Sequence, residues 1–524
     1  MTGWFLDLVI VVPVTAALRL LPGMCWMSRG MDAGAHLLLR RQIRRHGMRL
    51  RIEDWPLVLD KRFTYPWAFH WLLALLPESW LRRVPPLPST ICDVMHAVIV
   101  MWLAGHLAPL VAPGIDPAVV GLVAGLLFGT APALLVVGFG PRAYEVTPRP
   151  FGELLYTITM TGALLYLTGQ SRAGLAAAVL GGGVLLLSSK FAAQVLLFCA
   201  PVMALLPRDA KILLLVPVAL AAALILSGGG YWWILRSQFI HLRFYRARLQ
   251  YEHPVLMARN RGRALLAAVI RLLRSRDRLS LADAARLAEG HTLLQFLIRN
   301  VLWCGVVALV VAGGFAAWPP NDGRWHAWLM AWAIAPAVPF LITSLRNFRF
   351  LGEAERYPEY ALAPVAVLAA IGLAGLGRQP AALALAAYAV LCVPALAYTV
   401  GRLRWNSGRG ATQDLDELVQ FLGKQPAAAV VLSLPWHVAF QVMPDLELRY
   451  IAALDATAWC LEPEQVFARY PWPRGDFAAW RRNAGLELVI ADRRALAAAD
   501  AMAYDFSGLT PVFRGARYDV YTVA

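Results

Sequence analysis

Long apolar runs alternate with polar regions along this chain. A helix needs about 17–25 largely apolar residues to cross a bilayer core of about 30 Å, and we count about eleven runs of this kind in the first 400 residues. They lie near 4–25, 93–112, 117–139, 151–168, 173–189, 191–207, 211–235, 295–318, 325–345, 360–377 and 381–400. The pattern predicts a mainly α, polytopic membrane protein with about eleven transmembrane helices.

Three polar regions interrupt these runs. Residues 26–92 are rich in Trp, Pro and Arg and contain short helical segments. Residues 236–294 combine many arginines with the leucine spacing of amphipathic helices that lie along a membrane surface. The third region begins near residue 412. We therefore expect a transmembrane domain over residues 1–411 and a soluble domain over residues 412–524.

The C-terminal region has the pattern of a small α/β domain. In "DLDELVQFLGKQ", Asp414 and Glu417 have the spacing of an N-cap and the N3 position of a helix. Buried strands are predicted at "AVVLSL" and "LELVIA", and "TPVFRGARYDVYTV" predicts a hairpin around a Gly-Ala turn. No glycine-rich phosphate loop follows either strand, so we expect no nucleotide site there.

Composition agrees with a membrane protein, because 59% of the residues are hydrophobic, compared with roughly 45–50% in soluble domains. The net charge of +16 comes from 45 Arg and only 4 Lys, so the positions of the arginines are more informative than their number. The six cysteines lack the spacing of a disulfide framework or a zinc site. The first apolar run has no basic segment before it and ends in "LLPGMCWM", which favours a retained anchor over a cleaved signal peptide.

The first polar region contains a candidate catalytic stripe. Asp32, His36 and Arg40 are spaced four residues apart, so they lie on one face of a helix. A carboxylate in this position could accept a proton from a hydroxyl group or bind a divalent cation. The alternative, which spacing alone favours, is that Asp32 caps an interfacial helix whose arginines reach lipid headgroups.

A second candidate follows in the same region. In "DKRFTYPWAFHWLLALLP", residues 60–77, Tyr65 precedes a proline that ends one segment, and His70 lies near the start of the next helix. The alternative interpretation is an aromatic belt at the membrane interface.

Charged residues also cluster in two later loops. "GFGPRAYEVTPRPFGELL", between the third and fourth predicted crossings, contains Glu145 and Arg149. "SLRNFRFLGEAERYPEYALAP", after the ninth crossing, contains three arginines and three acids around a Tyr-Pro pair: Arg346, Arg349, Arg356, Glu353, Glu355, Glu359 and Tyr357. This segment is either a solvated loop of mixed charge or a set of guanidinium forks for a phosphate group.

The order of these motifs resembles the GT-C superfamily of polytopic glycosyltransferases. An acid follows the first crossing, a Tyr-Pro enters the "HWLLALLP" helix, the second loop carries an acid, and a late "ERY" loop precedes a C-terminal α/β domain. The likeness is greatest to oligosaccharyltransferase catalytic subunits and related bacterial sugar transferases. It spans almost the whole chain in architecture, although the motifs themselves cover only a small part of it.

The resemblance implies an enzyme of the bacterial cytoplasmic membrane whose active site faces the periplasm. Such an enzyme moves a sugar from a polyprenyl-phosphate donor to a glycan, lipid or protein acceptor, and we expect no nucleic-acid partner. Asp32 would be the catalytic carboxylate, and Glu145 would position the acceptor or, with Asp32, bind a divalent cation such as Mg or Mn. Arg346, Arg349 and Arg356 would hold the carrier phosphate. The other substrate-binding residues would be His36, Arg40, Tyr65, His70, Arg149 and Tyr357.

The sequence also departs from this family. The second loop reads "AYE" where many members have two nearby acids, and the tail lacks the "WWDYG" motif of oligosaccharyltransferases. The first alternative function is a polysaccharide polymerase or O-antigen ligase. The second is a transporter, which should carry ionisable residues inside its crossings. The arginines of the short loops do not settle the orientation. We expect residues 26–92, 236–294 and 412–524 to share the outer side of the membrane.

Overall fold

The computed structural model is mostly helical and ends in a small sheet. It describes residues 2–25, 31–49, 56–59, 65–111, 114–135, 146–252, 257, 259–275, 278–311, 323–407, 411–452, 463–498 and 504–523. The described part is therefore a helical body followed by a small C-terminal α/β unit, and the predicted domain boundary at residue 412 stays a prediction.

The helical body contains helices of very different length. In chain order they are α1 (Thr2–Cys25), α2 (Met31–Arg45), α3 (Ala68–Leu75), α4 (Glu78–Arg83), α5 (Leu87–Val111), α6 (Pro117–Gly129), α7 (Pro132–Leu135), α8 (Arg149–Gly169), α9 (Arg172–Leu186), α10 (Lys190–Leu205), α11 (Leu215–Leu226), α12 (Tyr231–Phe244), α13 (Gln250–Glu252), α14 (Gly262–Ser275), α15 (Arg278–Glu289), α16 (Thr292–Arg299), α17 (Val301–Val311), α18 (Gly323–Ile334), α19 (Ala337–Ser344), α20 (Leu362–Gly375) and α21 (Arg378–Ser407). A π-helical turn spans Tyr245–Leu249, and 3₁₀ segments span Ala210–Leu214, Arg346–Leu351 and Ala354–Ala361.

Five segments among the described residues are long and apolar enough to cross a membrane. They are Trp4–Pro22, Leu87–Leu110, Arg324–Ser344, Ala354–Gly375 and Arg378–Gly401. Four shorter apolar helical segments are Pro117–Gly129, Arg172–Leu186, Lys190–Leu205 and Ala210–Leu226. Each segment overlaps one of the predicted apolar runs. The mainly helical, polytopic class is thereby supported, and the count of about eleven crossings stays a prediction.

Two of the predicted crossings contain charged residues that pair with each other. Arg19 of α1 donates from Nε to Oδ2 of Asp93 on α5 at 2.8 Å, and from Nη2 to the Gly129 carbonyl at 3.0 Å. Both charged side chains are at most 1% exposed. His96, one turn after Asp93, lies 2.7 Å from the Thr157 hydroxyl of α8. Polar contacts therefore join four helices of the body.

Small residues bring α8, α9 and α11 close together. A Cβ atom placed on Gly162 of α8 would lie 2.6 Å from the Gly174 carbonyl of α9. A Cβ atom on Gly182 or Gly183 would lie 2.8 Å from an alanine Cβ of α11. Without a hydrophobic driving force between helices in lipid, such close approaches increase van der Waals contact. After α9 the chain turns, and Ser189 caps the start of α10 by accepting a hydrogen bond from Ala192 N.

The C-terminal unit is a mixed sheet with helices around it. Its strands are β1 (Val430–Leu434), β2 (Arg449–Tyr450), β3 (Phe467–Arg469), β4 (Trp472–Pro473), β5 (Leu488–Asp492), β6 (Leu509–Arg514) and β7 (Tyr518–Val523). The helices are α22 (Ala411–Leu422), α23 (Val438–Val442), α24 (Pro463–Val466), α25 (Phe477–Ala484) and α26 (Arg493–Ala497). The main sheet has the order β2-β1-β5-β7-β6, in which β1 runs parallel to β2 and β5, while β7 runs antiparallel to β5 and β6.

The predicted strands match β1 and β5, and the predicted hairpin matches β6 and β7. The predicted helix cap is wrong. Helix α22 begins at Ala411, so Asp414 lies inside its first turn. A carboxylate there still interacts favourably with the positive end of the helix dipole, which explains why the sequence signal resembled a cap.

The first polar region packs directly on the C-terminal unit. Residues 56–59 extend the sheet beside β2, with Tyr450 N donating to the Pro56 carbonyl at 2.7 Å and Val58 N donating to the Tyr450 carbonyl at 2.8 Å. Helix α2 lies on α23 so closely that a Cβ atom on Gly34 would be 1.6 Å from the Phe440 carbonyl oxygen. The sheet unit therefore contacts the helix that carries the predicted catalytic stripe.

Candidate active site

A cavity of about 280 Å³ opens between α2, the starts of α8 and α10, helix α12 and the loop after α19. Four predicted site residues line it: His36, Tyr65, Arg149 and Arg356. They come from three regions that are far apart in sequence. The fold thus brings the first loop, the start of the fourth predicted crossing and the late loop to one place.

The wall from the first loop consists of rings and buried polar groups. His36 of α2 and His70 of α3 are both buried, and Nδ1 of His36 lies 2.9 Å from Nε2 of His70. The Tyr65 ring centre lies 6.3 Å from that of His36 and 5.6 Å from that of His70. His70 is completely buried behind His36, so of the two histidines only His36 reaches the cavity.

Arg40, the third residue of the predicted stripe, does not line this cavity. Its guanidinium is buried and donates to the Leu73 carbonyl at 3.0 Å and to the Leu76 carbonyl at 2.7 Å. Burial lowers the pKa of Arg40, an effect that the charge of Glu78 opposes. These bonds satisfy two backbone carbonyl groups at the end of α3. Arg40 therefore holds α3 against α2.

The opposite wall is formed by ion pairs between the start of α8 and the late loop. Arg149 pairs with Glu359 and lies 3.9 Å from Glu153 on its own helix. Arg259 lies 3.2 Å from Glu355, which also accepts a hydrogen bond from the Thr292 hydroxyl at 3.1 Å. The carboxylates of Glu355 and Glu359 are buried. The interpretation of this segment as a solvated loop is therefore wrong for these two acids.

Glu353 and Arg356 form the edge of this network that faces the cavity. The two side chains pair with each other, and the Arg356 guanidinium lies 5.8 Å from the Phe191 ring centre. Burial alone would raise the pKa of Glu353, but the charges of Arg356, Arg259 and Arg149 outweigh burial and lower it. Glu353 is consequently a fixed negative charge at neutral pH, and it holds Arg356 in place.

The sequence analysis missed several residues that line the cavity. The most important is Lys190, whose Nζ lies 5.2 Å from the centre of the Tyr65 ring. Its signal was a lysine within "LLLSSKFAAQVLL" in a chain with only 4 lysines, next to a serine that can cap a helix. The other lining residues with polar side chains that the sequence analysis did not name are Thr147, Ser189, Gln194, Gln238, His241, Tyr245 and Tyr360, whereas Glu353 had been named only as an acid of the late loop.

Three predicted residues of the late loop lie elsewhere. Arg346 is exposed, and Arg349 donates to the Arg259 carbonyl at 3.3 Å. Tyr357 is fully buried against Phe191, with its hydroxyl 3.3 Å from the Leu351 carbonyl. None of the three is among the described residues that line the cavity. The predicted contact of Arg346 and Arg349 with a carrier phosphate and the predicted substrate-binding role of Tyr357 stay predictions.

The two predicted catalytic acids fall largely outside the described part. The backbone of Asp32 lies in the first turn of α2, one turn before His36, whereas its side chain is not described. Glu145 lies outside the described residues. Among the residues that the structure describes, no three His, Cys, Asp or Glu side chains come together as metal ligands. The predicted divalent cation between Asp32 and Glu145 stays a prediction.

The charges that line the cavity favour an anion. Among the described lining residues, the cations Arg149, Lys190 and Arg356 face a single carboxylate, Glu353. Guanidinium groups bind phosphate oxygens in pairs, and an ammonium group binds them as a compact charge. The cavity is walled by helices that belong to the apolar body. This combination suits the phosphate group of a lipid.

The fold of this chain matches that of two solved structures, ArnT and AglB, which confirms the resemblance to the GT-C superfamily at the level of fold alone. No family model and no curated protein sequence matches the chain.

The superposed structures come from two enzymes of that superfamily. ArnT from Cupriavidus metallidurans, bound to undecaprenyl phosphate, has a TM-score of 0.57 and 14% identity, over 100% of this chain and 98% of that one. The archaeal oligosaccharyltransferase AglB from Archaeoglobus fulgidus, in complex with an inhibitory peptide and a dolichol-phosphate, has a TM-score of 0.58 and 15% identity, over 93% of this chain and 69% of that one. At these identities the likeness concerns the fold.

Proposed function

We propose that this protein is a membrane glycosyltransferase that moves a sugar from a polyprenyl-phosphate donor to an acceptor on the outer face of the bacterial cytoplasmic membrane. The observation that carries the proposal is the cavity in which His36, Tyr65, Arg149 and Arg356 meet. The fold supports it, because ArnT and AglB were solved with undecaprenyl phosphate and dolichol-phosphate.

In this proposal the phosphate of the carrier binds at the cationic wall. Arg149, Lys190 and Arg356 surround the space, and the pairs with Glu359 and Glu353 hold the two guanidinium groups in position. As the bond between the sugar and the phosphate breaks, negative charge grows on the phosphate. Fixed positive groups in a partly buried site stabilise that charge more than they stabilise the ground state.

The acceptor approaches from the side of α2. Asp32, at the start of this helix, is the proposed base that takes the proton of the attacking group. Tyr65 and His36 form the adjoining wall, where a ring and an imidazole can contact a sugar.

Binding of the carrier tests the proposal directly. Purified protein should bind a polyprenyl phosphate saturably and much more tightly than the uncharged polyprenol of the same length, as measured by native mass spectrometry. Arg356→Lys should weaken binding about 10- to 100-fold, because a charged hydrogen bond contributes about 1.5–3 kcal/mol. Lys190→Met should do the same.

Arg271→Lys is the matched control. Arg271 is an exposed arginine of α14 that pairs with Asp283 at 2.7 Å, and a surface pair of this kind contributes little. This variant should bind as the wild type does. Equal affinity for polyprenol and polyprenyl phosphate, or unchanged binding in both cavity variants, would contradict a phosphate site at this wall.

A further inference from the structure

The histidine pair beside the cavity has a specific proton chemistry. Nδ1 of His36 and Nε2 of His70 lie 2.9 Å apart, so one nitrogen donates a hydrogen and the other accepts it. If both rings carried two protons, two N–H groups would face each other and the bond would be lost. The pair can therefore take up one proton while its hydrogen bond persists.

The added proton belongs on His36. His70 has no exposed surface, and burial lowers its pKa well below the ordinary value. A charge on His36 lowers the pKa of His70 further, and the Pro66 carbonyl opposes this only in part. His36 lines the cavity. Since its Nδ1 faces His70, proton exchange with the cavity goes through Nε2.

We propose that His36, backed by His70, takes up the proton that the acceptor loses during transfer. This inference rests on the proposed function, because it needs an attacking group that gives up a proton. The bond from the attacking atom to the sugar carbon forms, and the bond from that carbon to the carrier oxygen breaks, with its electron pair leaving on the phosphate. The acceptor proton ends on Nε2 of His36, the nitrogen that exchanges protons with the cavity. His36 is the catalytic residue of this step, and His70 is a positioning residue.

The groups around His36 affect how readily its imidazole takes up a proton. Across the cavity, three cations, Arg149, Lys190 and Arg356, outnumber the carboxylate of Glu353 and disfavour a positive imidazole. His241 lines the same cavity, and Tyr65 lies beside the pair. On α2 itself, Asp32 and Arg40 lie one turn to either side of His36. Helix α23, which packs against α2, contains no titratable residue over Val438–Val442. The hydrogen bond to His70 is one support for the charged form of His36.

The coupling can be measured without any substrate. Diethyl pyrocarbonate modifies neutral imidazole, so the extent of His36 modification from pH 5 to pH 8, read by mass spectrometry, gives the midpoint of its titration in full-length protein. In His70→Leu the charged form of His36 loses the hydrogen bond to residue 70. The midpoint of the His36 titration should therefore fall by about one pH unit or more. In His70→Gln an amide keeps the bond to Nδ1, and the midpoint should stay near that of the wild type. His241 in the same samples is an internal control and should not move.

Catalysis provides the second readout. In His70→Leu the acidic limb of the transfer rate should shift to lower pH by the same amount as the modification midpoint. In His36→Gln this acidic limb should be absent, and the transfer rate should be about 10²–10⁴-fold lower. If His70→Leu does not fold, His70→Asn, whose shorter side chain withdraws from Nδ1, should show the same shift. An unchanged midpoint in the folded variant that lacks the bond would overturn the coupling. An unchanged acidic limb in His36→Gln would overturn the catalytic role.

Different experimental outcomes would refute the proposed function and the role of His36. A protein that neither binds a polyprenyl phosphate nor transfers sugar from it would refute the proposed function, and the role of His36 in transfer would be refuted with it. A protein that binds the carrier and transfers sugar with an acidic limb independent of both histidines would refute the inference alone.

Discussion

Replacing Asp93 by asparagine should destabilise the helical body severely, because it leaves a buried arginine without its counter-ion. Arg19 and Asp93 join α1 to α5 at 2.8 Å, and both side chains are at most 1% exposed. Asparagine has nearly the same shape as aspartate. The substitution therefore removes the charge and creates no cavity.

The expected magnitude follows from the burial of both partners. Removing one member of a buried ion pair costs about 3–5 kcal/mol, since the remaining charge stays desolvated. Replacing both members by apolar residues is often neutral, so Arg19→Met combined with Asp93→Leu should recover most of the loss. The recovery should be incomplete, because the Gly129 carbonyl also loses the 3.0 Å hydrogen bond from Arg19.

Unfolding titrations of the detergent-solubilised protein with sodium dodecyl sulfate measure these free energies. Asp209→Asn is the matched control, since Asp209 is an exposed helix cap that accepts from Lys211 N at 3.0 Å, and asparagine caps a helix about as well as aspartate. The reasoning would be refuted if Asp93→Asn cost under about 1 kcal/mol, or if the double variant were as unstable as the two single losses added together.

Two further predictions concern α2. Asp32→Asn should keep the helix start but lose about 10²–10⁴-fold of the transfer rate, measured in proteoliposomes with a polyprenyl-phosphate sugar; a folded variant with most of its rate would leave Asp32 as a helix cap. Gly34→Ala should loosen the contact of α2 with the sheet unit, because the added Cβ would lie 1.6 Å from the Phe440 carbonyl, and overpacking of this kind costs about 1–3 kcal/mol. Limited proteolysis should then cut the C-terminal unit faster than in Gly305→Ala, whose Cβ meets nothing within 4 Å; equal rates in the two variants would show that the contact has no energetic weight.

The apolar runs and the strands were predictable because the information for each is local. A backbone inside a bilayer must satisfy its own hydrogen bonds, so a run of about twenty apolar residues is enough to indicate a helix there. Strands β1 and β5 were equally visible as short buried runs between turn residues. The order of the polar motifs likewise indicated a resemblance to the GT-C superfamily, and the likeness in fold to ArnT and AglB agrees with it.

The charged residues inside the apolar runs show what a local sequence pattern cannot predict. Arg19, Asp93 and His96 are present in the sequence, but their isolated positions gave no sign that Arg19 and Asp93 pair. A transporter should carry ionisable residues inside its crossings, and two of the predicted crossings here do. The pair instead links α1 to α5 within the body. Whether a buried charge is structural depends on its partner, and the partner is set by helix packing.

The composition of the cavity was decided by tertiary structure alone. Sequence spacing placed Asp32, His36 and Arg40 on one stripe, yet of His36 and Arg40 only His36 lines the cavity, while Arg40 turns to the end of α3. Lys190 lines the cavity from the first turn of α10, which Ser189 caps. The contacts that build the site join residues 34 positions apart, as in His36 and His70, or 210 positions apart, as in Arg149 and Glu359. Such pairs depend on where helices cross and at what distance, and no local pattern of side chains contains that information.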